Sequence, residues 1–236
     1  MISVLQVASI DSGASQPTTV LAFGSNVTAG STLVAIGLLN FATLTGFTDT
    51  LGNTFTSRQT AQSAAGPGNQ KLYCYTAPSP SGGADSVTMT IGSAQTFRPV
   101  YLLEIGGAKA AAYDVGNHND QTAPGLGAGA VLSGSASNLN QPALIVAATL
   151  TISNTANAAP VTGTGQAGHW GGNSGCGLSV QTQRITATGA QQATWTAAVN
   201  NEHLSLEIIL DELLGVNFRK TLSRIGGKIG QRQLQV

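Results

Sequence analysis

The chain has 236 residues, ten Lys+Arg against ten Asp+Glu, and only 8% charged residues, where an ordinary globular chain has about 25%. Apolar residues make up 42%, and there are 30 glycines and two cysteines. These values exclude a basic nucleic-acid binder overall, an acidic disordered tail, a coiled coil and a disulfide scaffold, and leave room for one large or two smaller domains.

Met1–Gln6 lacks a basic region and a long apolar stretch, so no secretory signal is expected. The longest apolar run, Leu33–Leu39, includes Gly37 and is too short to span a bilayer, so no membrane partner is expected. In chain order, runs rich in Val, Ile, Leu, Thr, Tyr and Phe predict strands near Ser3–Ala8, Thr18–Phe23, Ser31–Leu39, Thr54–Thr60, Gln70–Thr76, Asp85–Ile91 and Phe97–Ile105. A second set is predicted near Ala111–Val115, Ala130–Gly134, Ala143–Ile152, Gly177–Thr186, Gln191–Ala197 and Leu204–Leu210. In Ser86–Ile91 the residues Val87, Met89 and Ile91 share one face, as in a strand with one side in a core. Leu33–Ile36 and Ala143–Val146 are apolar on both faces and should be central and doubly covered.

The two sets read as copies, about 1–107 and 108–212, within one body of residues 1–212. Val20–Ala22 and Leu33–Ala35 match Val131–Ser133 and Leu144–Val146 at a gapless offset of 111. Leu72 and Thr76 match Leu178 and Thr182 at 106, Thr88–Thr90 matches Thr194–Thr196 at 106, and Leu103–Ile105 matches Leu206–Ile208 at 103. The expected fold is all-β: a jelly-roll-like β-sandwich with an internal two-fold pseudo-repeat and a short C-terminal arm. No linker separates the halves around Gly106-Gly107, which favours one intertwined sandwich over two beads on a string.

Several constellations carry polar chemistry. Asp49–Phe55 has hairpin-turn residues. Asp114, Asn117, Asn119 and Asp120 form a polar segment that reads as a connecting loop, with spacing unlike a calcium loop. His169, Trp170 and Asn173, in a glycine-rich stretch, suit a sugar contact in which the indole stacks and the other two hydrogen-bond; a core Trp beside a plain turn is the other reading. Cys74 and Cys176 read as small buried thiols, although a disulfide between the halves stays open. Glu104 and Glu207 occupy matching positions: a carboxylate pair is one reading, and outward placement, or pairing with Arg98 or Arg184, is the favoured one. No nucleophile with a base and orienter, no phosphate loop and no zinc spacing occurs, so no enzyme, cofactor or metal is expected.

The segment 213–236 holds Arg219, Lys220, Arg224, Lys228 and Arg232, five of the ten basic residues, and no acid. Phe218, Leu222 and Ile225 fall at i, i+4, i+7, enough for two striped helical turns before Gly226-Gly227. Such an arm reads as a docking segment; without aromatic interleaving, nucleic acid is a poor partner for it.

The stretches Val20–Ala22, Val27–Ile36, Asp49–Phe55, Leu72–Thr76 and Leu103–Gly107 resemble a recurring β-sandwich module of bacteriophage virion proteins and bacterial surface proteins. The resemblance covers about residues 1–212 and leaves out the arm. It implies a structural or adhesive role and carries over no catalytic residue. The expected function is a virion structural protein, for capsid decoration or a tail or fibre, assembled in the host cytoplasm with other virion proteins and copies of itself. The alternative is an adhesion module that recognises host surface glycans.

Overall fold

The computed structural model describes residues 1–11, 13–63, 70–79, 81–121, 129–138, 140, 142–151, 159–160, 163–170, 176–197 and 203–213. Among these the chain is all-β, with no helix. The first half runs β1 (Ser3–Ile10), β2 (Gln16–Ala22), β3 (Ser31–Leu39), β4 (Leu44–Asp49), β5 (Thr56–Gln62), β6 (Lys71–Ser79), β7 (Ser86–Gln95) and β8 (Val100–Gly106). The second half runs β9 (Ala108–Gln121), β10 (Gly129–Leu132), β11 (Ala136–Asn138), β12 (Ala143–Thr151), β13 (Ala159–Pro160) and β14 (Thr164–Trp170). It ends with β15 (Cys176–Ile185), β16 (Gly189–Gln191), β17 (Thr194–Ala197) and β18 (His203–Glu212).

The first half forms a five-stranded sheet, β1-β8-β3-β6-β5, and a three-stranded sheet, β2-β7-β4. That order is a jelly-roll order in which β5 has left β4 for the edge beside β6. The second half has the corresponding orders β9-β18-β12-β15-β14 and β10-β17-β13, with β11-β16 as an additional pair. All the ladders are antiparallel, and no strand of one half pairs with the other among the described residues. The expected intertwining is therefore replaced by two sandwiches stacked through their five-stranded sheets.

Three apolar clusters lie between the layers. The shared core joins the large sheets and holds Val34, Ile36, Leu38, Leu72, Cys74 and Leu103 against Val146, Leu150, Leu178, Leu206 and Ile208. One outer core packs Leu33, Ala35, Met89, Phe47 and Leu102 under β2-β7-β4. The other packs Ile145, Ala147, Trp195 and Ile209 under β10-β17-β13. This layering explains why every residue of β3, β12 and β18 is buried. A sheet covered on both faces leaves no position for solvated side chains. In β7, with one face covered, Val87, Met89 and Ile91 are buried and Ser86, Thr88 and Thr90 only partly so.

The faces also correct the proposed offset. Even positions of β3 and β12 enter the shared core, whereas Leu33 enters an outer one. An offset of 111 would set Leu33 on Leu144, which lies in the shared core; a one-residue slip exchanges the faces of a strand. Val34, paired with Thr76, and Val146, paired with Thr182, both face the shared core and lie 112 residues apart. Asp49–Phe55 is likewise no hairpin, because β4 and β5 belong to different sheets. Its turn chemistry stands: Asp49 accepts from Asn53 N–H (2.8 Å) and Nδ2 (2.6 Å), and Gly52 has φ 75°. The segment is a corner that carries the chain from one layer to the next.

Only Gly107 separates β8 from β9. Its φ is 73°, a left-handed conformation that glycine adopts without strain. A Cβ there would overlap the carbonyl oxygen of Met1. Leu213 N–H donates to the Gly107 carbonyl (2.8 Å). Around this waist gather Lys109–Asp211 (2.8 Å), Arg184–Glu212 (2.8 Å) and the Met1 amine beside Glu212 (3.6 Å). Gly107→Ala should therefore cost about 2 kcal/mol or more, from left-handed strain plus backbone overlap. Gly24→Ala, where a Cβ meets nothing within 4 Å, should stay within about 0.5 kcal/mol. Urea unfolding of the two variants checks this; equal midpoints would refute the role given to Gly107.

Candidate functional site

The residues expected to carry function are placed unevenly. Phe218, Arg219, Lys220, Leu222, Arg224, Ile225, Lys228 and Arg232 lie outside the described residues, as does Asn173. His169 and Trp170 end β14, an edge strand, in register with Gly177 and Cys176 of β15. Cys74 is a buried free thiol in the shared core, pushed up to about 12 by burial. No three His, Cys, Asp or Glu side chains among the described residues gather to hold a metal.

Asp114–Asp120 is not a loop but part of β9, paired along β18. Its loop-type composition is tolerated because the amides find backbone acceptors in the next layer. Asn117 Nδ2 donates to the Ser135 carbonyl (2.8 Å) and Asn119 Nδ2 to that of Leu132 (3.2 Å).

Glu104 and Glu207 neither point outward nor pair with arginines, because each faces the outer core of its own half and is 1% or less exposed. Glu104 accepts from Thr28 N–H (2.6 Å) and Gln6 Nε2 (2.7 Å). Glu207 accepts from Ser133 Oγ (2.6 Å), Ala193 N–H (2.9 Å) and Ala136 N–H (3.1 Å). Thr28 lies on the connection from β2 to β3, and Ser133 and Ala136 on that from β10 to β12. Both carboxylates thus tie down the segment that crosses from the small sheet to the large one. A buried carboxylate is tolerated only with such donors. Arg98, also buried, is spent on the carbonyls of Thr18 and, at 2.7 Å, Ala14. Arg184 is spent on Glu212.

A cleft of about 270 Å³ opens between the halves. Sheet β1-β8-β3-β6-β5 lines it with Thr32, Thr56, Arg58, Thr76 and Pro78, the approach to β5 with Thr54, and β9 with Ala110–Tyr113. Arg58 is the extra residue of a bulge, where Ser57 faces Tyr75 and Gln59 already faces Cys74. Bulges re-aim side chains. Here the guanidinium lies over the Tyr113 ring, 4.4 Å from its centroid, while Nε donates to Thr76 Oγ1 (2.7 Å). Sequence reading missed this site. The period-two run Thr54, Thr56, Arg58 was its one local signal, and Tyr113 arrives from the other half. A second uncommitted feature is Phe41, 65% exposed at φ 64° in a tight turn closed by Ala42 N–H to Asn40 carbonyl (2.9 Å).

No family model matches the chain, and no curated protein matches it. Among solved structures, a mutant of Bacillus subtilis oxalate decarboxylase is 7% identical, with 100% of this chain and 84% of that one covered at a TM-score of 0.21. That score is too low to carry fold or activity across.

Burial pushes the Glu207 carboxyl above its ordinary 4.5, and its hydrogen bonds from Ser133, Ala193 and Ala136 draw it only part of the way back. The folded state therefore holds this proton more tightly than the unfolded chain. The corresponding stability is complete below pH 4.5 and is lost as pH rises through the raised value. The Glu207 share should pull thermal unfolding midpoints down across that window, against the rise that His203, lowered from 6.5 by burial, contributes below 6.5. Glu207→Gln should remove this fall, leaving the share of Asp85, whose carboxyl burial also raises. The same variant should cost about 1–3 kcal/mol, because its amide sets a donor against donors. A wild-type profile identical to that of the variant would refute this account.

Proposed function

We propose that the protein is a bacteriophage virion structural subunit, a capsid-decoration or tail or fibre component that packs through its uncharged sandwich faces. One observation carries the reading: six charged side chains of the described body are buried, and one outer sheet face carries none. Asp85, Glu104, Glu207, Asp211, Glu212 and Arg98 are all buried. The outer face of β2-β7-β4 presents Thr18, Val20 and Ala22 beside Ser86, Thr88, Thr90 and Thr48, in register and without a charge. Interface cores are depleted of charge, and short hydroxyl side chains lose little rotamer entropy on contact. Phe41 supplies an exposed aromatic of the kind that anchors interfaces.

In this reading 213–236 is the docking arm. Phe218, Leu222 and Ile225 serve as apolar anchors and the five cations meet an acidic neighbour. Its partners are other virion proteins and copies of itself, met in the host cytoplasm during assembly. A second reading, contact of His169, Trp170 and Asn173 with a host surface glycan, is favoured by the position of Trp170 at the end of an edge strand.

Light scattering on the full chain, on residues 1–212 and on Val20→Lys tests the first reading. A defined oligomer is expected, reduced in order by loss of the arm or by the new charge on the face. A monomer in all three forms overturns self-assembly. Trp170→Ala tests the second on a glycan array, where loss of binding with unchanged solution mass would favour adhesion.

A further inference from the structure

We propose that the cleft between β5–β6 and β9 is a binding site for one carboxylate-bearing sugar ring. The inference is independent of the assembly reading, because the cleft is built within one chain.

The residues define the ligand. Among the described residues, Arg58 is the only charged side chain lining the cleft, and no described carboxylate forms an ion pair with it. Its Nε is occupied by Thr76, and its flat face is stacked on Tyr113. What remains is the pair of terminal nitrogens, a planar fork that matches a carboxylate bidentately. Stacking on the ring strips water from the guanidinium face and fixes its plane, so little freedom is left to lose when an anion arrives. The bulge at Arg58 is what lets one side chain reach both Thr76 and Tyr113.

The rest of the wall excludes a bare anion as the best fit. Thr32, Thr54, Thr56 and Thr76 offer hydroxyls that both donate and accept, which suits a polyol. Ala110, Ala111, Ala112 and Pro78 form an uncharged apolar wall of small side chains, which suits the C–H face of a ring. Drug-sized sites span about 300–1,000 Å³, and at about 270 Å³ this cleft takes one ring and not an extended chain. Both halves of the chain contribute to it, so the site exists only when the two sandwiches are stacked.

Isothermal titration of the full chain with glucuronate, with glucose as the neutral counterpart and acetate as the anion alone, tests the proposal. Glucuronate should bind at least 10-fold more tightly than either. Arg58→Gln should remove that preference. Arg58→Lys should not restore it, since an ammonium keeps the charge but loses the fork and the stacking. Thr56→Val, an exposed change that spares the fold, should weaken glucuronate several-fold without affecting acetate. Circular dichroism confirms that each variant is folded. Equal binding of glucuronate and acetate, binding unchanged in Arg58→Gln, or no heat with any of the three at millimolar concentration overturns the assignment.

Discussion

Covering both faces of two five-stranded sheets is the constraint from which the rest of this structure follows. Once the sheets are stacked, β3, β12 and β18 have no solvent side. Polar groups on them are then cut off from water and rely on partners inside the protein, with Ser31 Oγ and Asp211 Oδ1 left without one among the described residues. Thr149 Oγ1 and Ser205 Oγ meet at 3.0 Å, and Thr151 Oγ1 meets His203 Nδ1 at 3.2 Å. Burial lowers the affinity of His203 for a proton. Glu104 and Glu207 obey the same rule on a larger scale, each collecting donors from the connection that must cross between layers. Layering accounts for the lack of solvated charge on the doubly covered strands, while the exposed face of β2-β7-β4 carries hydroxyls instead and ion pairs gather at the waist.

Much of the fold was legible because strand signals are local. The alternation in Ser86–Ile91 and the doubly apolar runs at Leu33 and Ala143 each state how many faces a strand buries, and the layers agree. Partnership between strands was not legible. Nothing in Asp49–Phe55 tells a hairpin from a corner, since both need the same Asp cap and left-handed glycine. Nor does Asn117–Asp120 announce a strand, because its amides are satisfied only by residues from β10 and beyond. The short strands β11 and β13 carry too few residues for any period to show.

The candidate site failed to show in the sequence for a related reason. Glu104 and Glu207 were visible as matching positions, but charge alone suggests solvent or an arginine. Only the geometry reveals backbone N–H groups waiting for an acceptor. The cleft depends on a bulge, which shifts register by one residue without any change of composition, and on Tyr113 brought from the second half. Arg58 is accordingly an ordinary strand residue in the sequence and a positioned fork in the structure. Neutral hydroxyls mark the outer face of β2-β7-β4, and ion pairs mark the waist.

The waist also decides how the chain is threaded. Leu213 bonds to Gly107, and Met1 lies beside Glu212. The first residue, the crossing between the sandwiches and the last residue of β18 therefore share one spot. The order in which the two jelly rolls are written along the chain is then a matter of connectivity and not of architecture. A circular permutant cut at Gly107 and joined by a short loop from Leu213 to Met1 would trace the same sheets, second half first.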